Sequence, residues 1–366
     1  MNTLTTRTHP FRHSVSLDEV EALLRGWSID SDSDAETVLD LSELRNVDTG
    51  AAMRLANAMR RWAAGHLVVL VPADIDLQSS DWFRLFTRSG LGWAIAAHAT
   101  AVQSGDQDIA EDIRAYYATT SSSHASNCLM FHGIEDGALV PTQDRFVSTV
   151  LQGMRQYLGH AHEAIAPADR RSLARLAHEA VTNVVDHAFS APWHGQGTPL
   201  GYLSVRWYRT ISAKNDELGG LRTYIQAHSE QLAPADTIAG WMEIVVADDG
   251  IGMAARQAQV DETTMYCGSI AAEDEALNDA LESSSTVKVR ALDAQLRGEP
   301  GYGTAIMLEC LKSIKAYAAL RTGRCLVEFD PWRYQRFELN AARLGWLPGT
   351  AMQVLLPVLA PQLRLT

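Results

Sequence analysis

The sequence predicts an α/β protein built from two domains, and three observations lead to this prediction. Strand-like and helix-like segments alternate over the first hundred residues, which is typical of a small α/β domain. The second half places amphipathic helices between apolar strands. The chain has 366 residues, 46% of them hydrophobic, which is enough for two separate cores. We therefore expect one domain over 11–100, a linker over 101–143 and a second domain over 144–360.

The first domain begins with a helix that has Ser16 as a plausible N-cap. A later helix is expected to end at Gly65, and Gly90 marks a stop or turn inside the last helical segment. The second strand is nearly all apolar and is therefore expected to be buried on both faces. The segments follow in the order helix SLDEVEALLRGW, strand TVLDLS, helix DTGAAMRLANAMRRWAAG, strand HLVVLVPA, helix SSDWFRLFTRSGLGWAIA.

The second domain begins with two helices, and Pro167 stands just before the first turn of the second one. CLMFHG, within the linker, has the composition of a strand. The polar insertion over 211–240 carries no clear periodicity and receives no assignment. The other segments are helices QDRFVSTVLQGMRQYLGHAHEA and APADRRSLARLAHEAVTNVVDHAF, strands LGYLSVRWYRT and WMEIVVAD, helix PGYGTAIMLECLKSIKAYAAL, and strands GRCLVEFD, YQRFELN and TAMQVLLPV.

Charge and cysteine content exclude several classes of protein. The formal net charge is -13, and such a surface repels phosphate backbones, so no nucleic-acid partner is expected. The four cysteines form no CxxC pair, which favours free thiols in a reducing compartment. No signal peptide and no apolar run of about 18 residues is evident. We expect a soluble, cytoplasmic protein without membrane contact.

The segment HEAVTNVVDHAFS carries three polar residues on one face of an otherwise amphipathic helix. Glu179, Asn183 and His187 follow at i, i+4 and i+8, so they share one face. An apolar stripe lies beside them, made of Leu173, Leu176, Ala180, Val184 and Ala188. One edge of the helix is therefore expected to pack on a sheet, while the neighbouring edge lines a polar pocket. A solvated helix face is the alternative.

Three glycine-containing segments follow this helix. VVADDGIGM ends an apolar strand in Asp248, whose carboxylate can accept a hydrogen bond from an amine, and glycines beside it allow close approach of a flat ligand. GYGTAIMLEC feeds a helix from about Thr304, and a helix N-terminus suits phosphate. LPGTAMQVLLP opens the last strand. Each segment by itself is also compatible with an ordinary turn.

The order of these four pieces over about 145–357 resembles the GHKL ATPase superfamily, and the wording EAVTNVVDHAF is closest to the anti-sigma-factor serine kinases. The resemblance implies a GHKL two-layer α/β sandwich, a mixed sheet with helices on one face. It also implies ATP and Mg²⁺ as ligands. Two departures stand out: Ala305 replaces a frequent glycine, and Asp249 replaces the usual asparagine and adds negative charge near the ligand.

The resemblance gives these residues roles. Asn183 would ligate Mg²⁺, and Glu179 would orient or deprotonate the attacking water or hydroxyl. Asp248 would bind the adenine amino group. Gly250, Gly252 and Met253 would shape the adenine pocket, and Gly301, Gly303 and Thr304 would close over the phosphates. Thr350 would support Asp248 and a water, and His187 would approach the nucleotide. Residues 253–299 would form a mobile lid, with Lys288, Arg290 or Arg297 as phosphate contacts.

The first domain resembles a STAS domain through VLDLSELRNVDTGAAMRLANAMRRW, LVVLVPA and FTRSGLGWAI. The phosphoacceptor serine of that family would fall at Thr49 or Gly50. An unrelated small α/β domain is the alternative. Three functions remain open: an ATPase that switches conformation in bacterial signalling, a serine/threonine kinase acting on a STAS-type partner or on its own first domain, and a non-catalytic module controlled by ATP or ADP. We also expect a protein partner of unknown identity, and a homodimer would be compatible with the resemblance.

Overall fold

The protein has an α/β fold with two main sheets. The structure is a computed structural model, and it describes residues 6–26, 36–62, 66–73, 75–77, 80–119, 128–132, 134–135, 138–139, 167–184, 188, 200–208, 220–231, 238–283, 303–334, 336–340 and 344–359. Within these residues no helix has the length and apolar content that a membrane crossing requires.

The first sheet has five strands in the order β1-β3-β5-β6-β7. Its first four strands are parallel, and β7 is antiparallel to β6. The elements of this half are β1 (Thr6–Pro10), β2 (Ser14–Val15), α1 (Leu17–Arg25), β3 (Glu36–Asp40), β4 (Asn46–Val47), α2 (Thr49–Trp62), β5 (His66–Val71), α3 (Asp81–Ser89), α4 (Leu91–His98), β6 (Ala101–Ser104), β7 (Gln107–Asp108) and α5 (Ala110–Thr119). The short strands β2 and β4 pair with each other in parallel.

Local capping signals explain where the helices of this half begin and end. Ser16 and Glu19 form a capping box at the start of α1, in which each side chain bonds the backbone N–H of the other. Ser80 caps α3 by accepting from the Phe83 N–H at 3.0 Å. Gly90 has φ 83°, which separates α3 from α4. The predicted helix starts at Ser16 and Ser80 and the break at Gly90 are confirmed.

Two expectations about this half are wrong. The strand β5 is not buried on both faces, because buried and more exposed residues alternate along it. The domain also does not end at residue 100, since β6 pairs with β5 and continues the same sheet. The predicted linker over 101–143 instead completes the first sheet and, at 128–132, contributes an edge strand to the second one. The strands β6 and β7 have too few residues to show a period in the sequence.

The second sheet has seven strands in the order β15-β14-β13-β16-β12-β11-β8. All of its described pairings are antiparallel, so the expected mixed sheet is corrected. The elements of this half are β8 (Cys128–His132), β9 (Ile134–Glu135), β10 (Ala138–Leu139), α6 (Pro167–Asn183), β11 (Leu200–Tyr208), α7 (Gly220–Gln231), β12 (Ile238–Asp248), α8 (Met253–Ala258), α9 (Glu262–Cys267), α10 (Ile270–Ser283), α11 (Gly303–Ile314), β13 (Tyr317–Gly323), β14 (Cys325–Phe329), β15 (Glu338–Leu339) and β16 (Leu347–Leu359).

Helices cover both faces of the second sheet, so the expectation of helices on one face is also corrected. Met242, Ile244 and Val246 of β12 share a core cluster with α6 and α11. Val245 and Ala247, which alternate with them, share a different cluster with α2. Because that second cluster also contains residues of β3 and β5, helix α2 is buried between the two sheets, and one continuous core joins the two halves.

The insertion over 211–240 contains a helix with a packing role. Helix α7 places Tyr224 in a fully buried position, where its hydroxyl donates to the carbonyl of Lys315 at 2.7 Å. The ring of His228 on the same helix makes edge contacts with Tyr224 and Trp332. This helix therefore covers the end of the sheet near the start of β13, a position that the polar composition of the insertion did not indicate.

A buried ionic cluster also crosses between the halves. The carboxylate of Glu21 on α1 accepts from Arg54 on α2 at 3.1 Å, and from Arg321 on β13 at 3.0 and 3.1 Å. Burial alone would raise the pKa of Glu21, but the charges of Arg321 and Arg54 outweigh burial and hold that pKa below its usual value. Arg321 has no exposed surface, so Glu21 supplies the negative charge that its burial requires.

The substitution Glu21→Gln should lower the free energy of unfolding by about 3–5 kcal/mol, because it leaves two buried guanidinium groups without their counter-charge. Denaturant unfolding measures this change. Arg336→Gln, which breaks the exposed Arg336–Glu338 pair, is the matched control and should cost no more than about 1 kcal/mol. Equal costs for the two variants would contradict the role assigned to the cluster.

Candidate functional site

Helix α6 carries the polar edge that the sequence predicted. Its apolar stripe, including Leu173, Leu176 and Ala180, is buried in the core beneath the second sheet. The Glu179 side chain is only 17% exposed and lies 3.7 Å from His178 Nδ1, while Asn183 is half-buried one turn later. The alternative of a freely solvated face therefore does not describe Glu179 and Asn183. His187 lies outside the described residues.

Asn183 lies against the first turn of α11. A Cβ placed on Gly303 would come within 2.7 Å of Asn183 Oδ1, so only glycine allows this approach. Thr304 follows in the same turn and is half-buried. The structure thus places a side-chain oxygen next to a helix N-terminus, where backbone N–H groups have no partner inside the helix. Gly301 lies outside the described residues.

Asp248 ends β12 as a buried carboxylate. It accepts from the Gly250 N–H at 2.9 Å and from the backbone of Thr350, its partner residue on β16. Burial, together with the neighbouring charge of Asp249, raises the pKa of Asp248 to about 7, although these hydrogen bonds and Arg60 act in the opposite direction. Asp248 is therefore close to its midpoint of ionisation near neutral pH.

The turn after Asp248 packs directly against residues that follow helix α6. A Cβ on Gly250 would lie 2.7 Å from the Cβ of Ala188, which stands five positions after Asn183. The segment beginning with α6 therefore meets α11 at Asn183 and the Asp248 turn at Ala188. The structure brings together Asn183, Gly303, Asp248 and Gly250, although Gly250 and Gly303 stand 53 positions apart in the chain.

Thr322 on β13 joins the turns on either side of Asp248. Its hydroxyl accepts from the Met253 N–H at 3.0 Å and donates to the Gly349 carbonyl at 3.1 Å. The Thr350 hydroxyl donates to the Thr322 hydroxyl oxygen at 3.4 Å, while the Thr350 backbone bonds to Asp248. Thr322 was not evident from the sequence, because the alanine-rich start of β13 resembles a continuation of the preceding helix.

Gly349 fixes the position of β16 beside the Asp248 turn. Its φ is +68°, and a Cβ at this position would collide with the backbone of Asp248. Any side chain here would therefore push β16 away from β12. The LPGT segment predicted from sequence thus places Thr350 next to Asp248 through a backbone conformation that favours glycine.

Asp249 points away from Asp248, towards the N-terminal half. Its side chain is fully buried and accepts from the Leu200 N–H at 2.6 Å, and its Oδ2 lies 2.9 Å from His98 Nε2. Arg60 of α2 donates to its backbone carbonyl. The negative charge expected at Asp249 is therefore held by groups of the first half. The roles of His98 and Arg60 were not evident from the sequence, since no local pattern links α2 or α4 to this turn.

Of the lid expected over 253–299, the structure describes the first 31 residues, 253–283. Residues 253–283 form α8, α9 and α10, and Met265 and Leu277 are buried in the same core as α6. Glu273 is fully buried and accepts from Arg324 Nε at 2.6 Å. Helices α8 and α9 have six residues each, too few to show a period in a polar segment. Lys288, Arg290 and Arg297 lie outside the described residues.

Thr49, the candidate phosphoacceptor position, is fully buried at the start of α2. Its neighbour Gly50 faces Gln353 of β16, because a Cβ there would lie 3.2 Å from Gln353 Nε2. Helix α2 covers the opposite face of the sheet from α6. Thr49 is therefore inaccessible to groups on the face that carries Glu179 and Asn183.

Other metal or thiol chemistry finds little support in the described part of the chain. Those residues contain no group of three or more His, Cys, Asp or Glu side chains that could hold a metal ion. Burial raises the pKa of the Cys310 thiol to about 11, so this thiol on α11 stays protonated and unreactive. An Mg²⁺ ion at Asn183 would need further oxygen ligands from a bound phosphate or from water.

Comparisons of the chain with protein-family models, with curated proteins and with solved structures found no match. The resemblance to the GHKL and STAS families therefore rests on the quoted motifs and stays a prediction.

The raised pKa of Asp248 predicts a specific dependence of stability on pH. The folded protein retains a proton on Asp248 up to about pH 7, whereas the unfolded chain releases it near the ordinary carboxyl value of 3.8. Its contribution to the unfolding free energy therefore falls as pH rises from about 4 to about 7. Asp248→Asn removes this penalty, so the variant should gain stability relative to wild type by up to about 4 kcal/mol between pH 4 and pH 8.

Denaturant unfolding of both proteins at several pH values measures this difference. Asp279→Asn changes an exposed carboxylate on α10 and is the matched control. A pH dependence of the same size in the control, or none for Asp248→Asn, would contradict the assignment.

Proposed function

We propose that this protein binds ATP with Mg²⁺ between helix α6, the Asp248 turn and the first turn of α11, and that it hydrolyses the nucleotide. The nucleotide state would act as a conformational switch in bacterial signalling. One observation carries the proposal: a buried carboxylate at a strand end, Asp248, lies beside the same chain segment that brings Asn183 to a helix N-terminus. These are the two kinds of group that an adenine base and a polyphosphate need.

Asp248 supports the adenine end of the proposed site. The backbone bonds from Gly250 and Thr350 hold its carboxylate in place. In its ionised form the carboxylate accepts a hydrogen bond from an exocyclic amino group, and a bond to a charged acceptor is stronger than a neutral one. Since an amine donor favours the ionised form, adenine binding would release a proton near neutral pH.

Asn183 and Glu179 support the phosphate end. The Asn183 oxygen is a hard ligand of the kind that Mg²⁺ prefers, and the backbone N–H groups of the first turn of α11 suit phosphate oxygens. When bound, Mg²⁺ would neutralise part of the charge of the polyphosphate. Glu179 stands one turn before Asn183 on the same helix and has limited exposure, so its carboxylate can orient a water molecule and accept its proton.

The burial of Thr49 argues against one alternative. A kinase acting on its own N-terminal domain would have to reach Thr49, which is buried beneath the opposite face of the sheet. Phosphorylation of a separate STAS-type partner, and ATP binding without turnover, remain the alternatives to hydrolysis.

Incubation with γ-labelled ATP and Mg²⁺ tests these functions directly. Wild type is compared with Glu179→Ala and Asn183→Ala, and with Arg171→Ala, an exposed position on the same helix, as the matched control. We expect wild type and the control to release phosphate. Both site variants should reduce this release at least about 100-fold, the size typical of lost acid–base catalysis. Label on protein would instead indicate a kinase, and tight binding without release a ligand switch. Absence of adenine-nucleotide binding would overturn the proposal.

A second experiment tests the adenine end. Asp248→Asn should weaken ATP binding by roughly 1–3 kcal/mol, because a charge-assisted hydrogen bond is lost. Inosine triphosphate, which lacks the amino group, serves as the ligand control and should bind both proteins with similar affinity. Calorimetry measures the affinities, and an unchanged ATP affinity would rule out this adenine site.

A further inference from the structure

Three residues on one face of α2 contact the three segments around the Asp248 turn. Asn57, Arg60 and Arg61 stand at i, i+3 and i+4, so their side chains project from the same side of the helix. Asn57 Nδ2 donates to the Pro348 carbonyl at 3.1 Å, and Arg60 donates to the carbonyl of Asp249. Arg61 forms an ion pair with Glu262 on α9. Helix α2 therefore contacts β16, the Asp248 turn and α9 together.

Asp249 is contacted by residues of two helices of the first half. His98 comes from the C-terminal end of α4 and Arg60 from that of α2, so two separate helices of the first half meet one buried side chain. The backbone N–H of Asp249 donates to Leu200 at 3.1 Å, and its carboxylate accepts from the Leu200 N–H. Because both its backbone and its side chain are held, Asp249 has little freedom to rotate.

Holding Asp249 also holds Asp248. The two residues share a peptide bond, which is planar, so the orientation of one restricts the other. Asp248 follows Val246 by two positions, on the face of α6, and Asp249 follows Ala247 by two positions, on the face of α2, so their side chains point to opposite faces of the sheet. The contacts that hold Asp249 on the α2 face of the sheet therefore also determine how the Asp248 side chain points into the candidate site. The charges of Asp249 and Arg60 also act on the ionisation of Asp248.

We propose that His98 and Arg60 are positioning residues for the adenine end of the nucleotide site, acting through Asp249. Helices α2 and α4 of the first half would then help to position the site. This inference rests on the proposed function, because it concerns the same Asp248 that would bind the adenine amino group. It goes beyond that function by assigning a role in ligand selection to residues outside the second half.

The test compares ATP and inosine triphosphate affinities, because their ratio reports how well Asp248 meets an amino group. His98→Ala should raise the dissociation constant for ATP about tenfold, the change expected when the hydrogen bond between the amino group and Asp248 is weakened, and leave inosine triphosphate nearly unchanged. His98→Gln, which retains a donor, should recover most of the selectivity. The ratio of affinities does not depend on the fraction of protein that is folded, so a loss of stability cannot imitate this result.

Arg206→Ala is the matched control, because Arg206 Nη1 also crosses between the halves, to the Val47 carbonyl at 3.1 Å, but does not contact the Asp248 turn. It should leave the selectivity unchanged. In an Asp248→Asn background, His98→Ala should have no further effect on selectivity, since a positioning residue acts only through the group it positions.

The outcomes separate the two proposals. If wild type prefers ATP and His98→Ala retains that preference, or if Arg206→Ala loses as much, the positioning role is overturned while the proposed function stands. An equal loss in the Asp248→Asn background would likewise overturn it, since the effect would not pass through Asp248. If wild type binds neither nucleotide, the proposed function fails and this inference fails with it.

Discussion

Helix α2 is buried on nearly every side and lies between two sheets, and this double burial constrains the whole molecule. Its residues from Ala51 to Met59 are buried in one cluster with β3 and β5 on one side and with Val245, Ala247 and Ala351 on the other. If the halves separated, both this helix and the back of the second sheet would expose a broad apolar surface to water. The two halves are therefore parts of one core, although their strands form separate sheets.

Burial of this interface forces its polar groups into specific pairs. A buried guanidinium such as Arg321 costs several kcal/mol unless a carboxylate meets it, and Glu21 does so from the other half. The same requirement applies at Asp249, where His98 and Arg60 supply the partners. Such pairs fix how the two halves are oriented relative to each other, which apolar contacts alone do not, because they are not directional. Because Asp249 is adjacent to Asp248, the way the two halves are oriented at this interface affects the position of Asp248 in the candidate site.

Sequence patterns predicted those structural features that depend only on residues close together in the chain. Ser16, Ser80 and Gly90 act through the backbone of the next few residues, so their roles could be inferred without a structure. Segments whose character comes from distant partners were missed. The alanine-rich start of β13 resembles a helix until β14 and β16 pair with it. The helices α8 and α9 are short and α10 is partly polar, and their burial depends on the core beneath them.

The sequence by itself determined the α/β class, most of the strands and helices, and the positions of the polar helix edge and of Asp248 with its glycines. Only the tertiary structure decided that the second sheet is covered on both faces, that Thr49 is buried behind it, and that His98 meets a residue 151 positions away. The physical reason is that helix caps and apolar periods are local properties of the chain. Which polar groups share a buried interface depends instead on how whole elements pack.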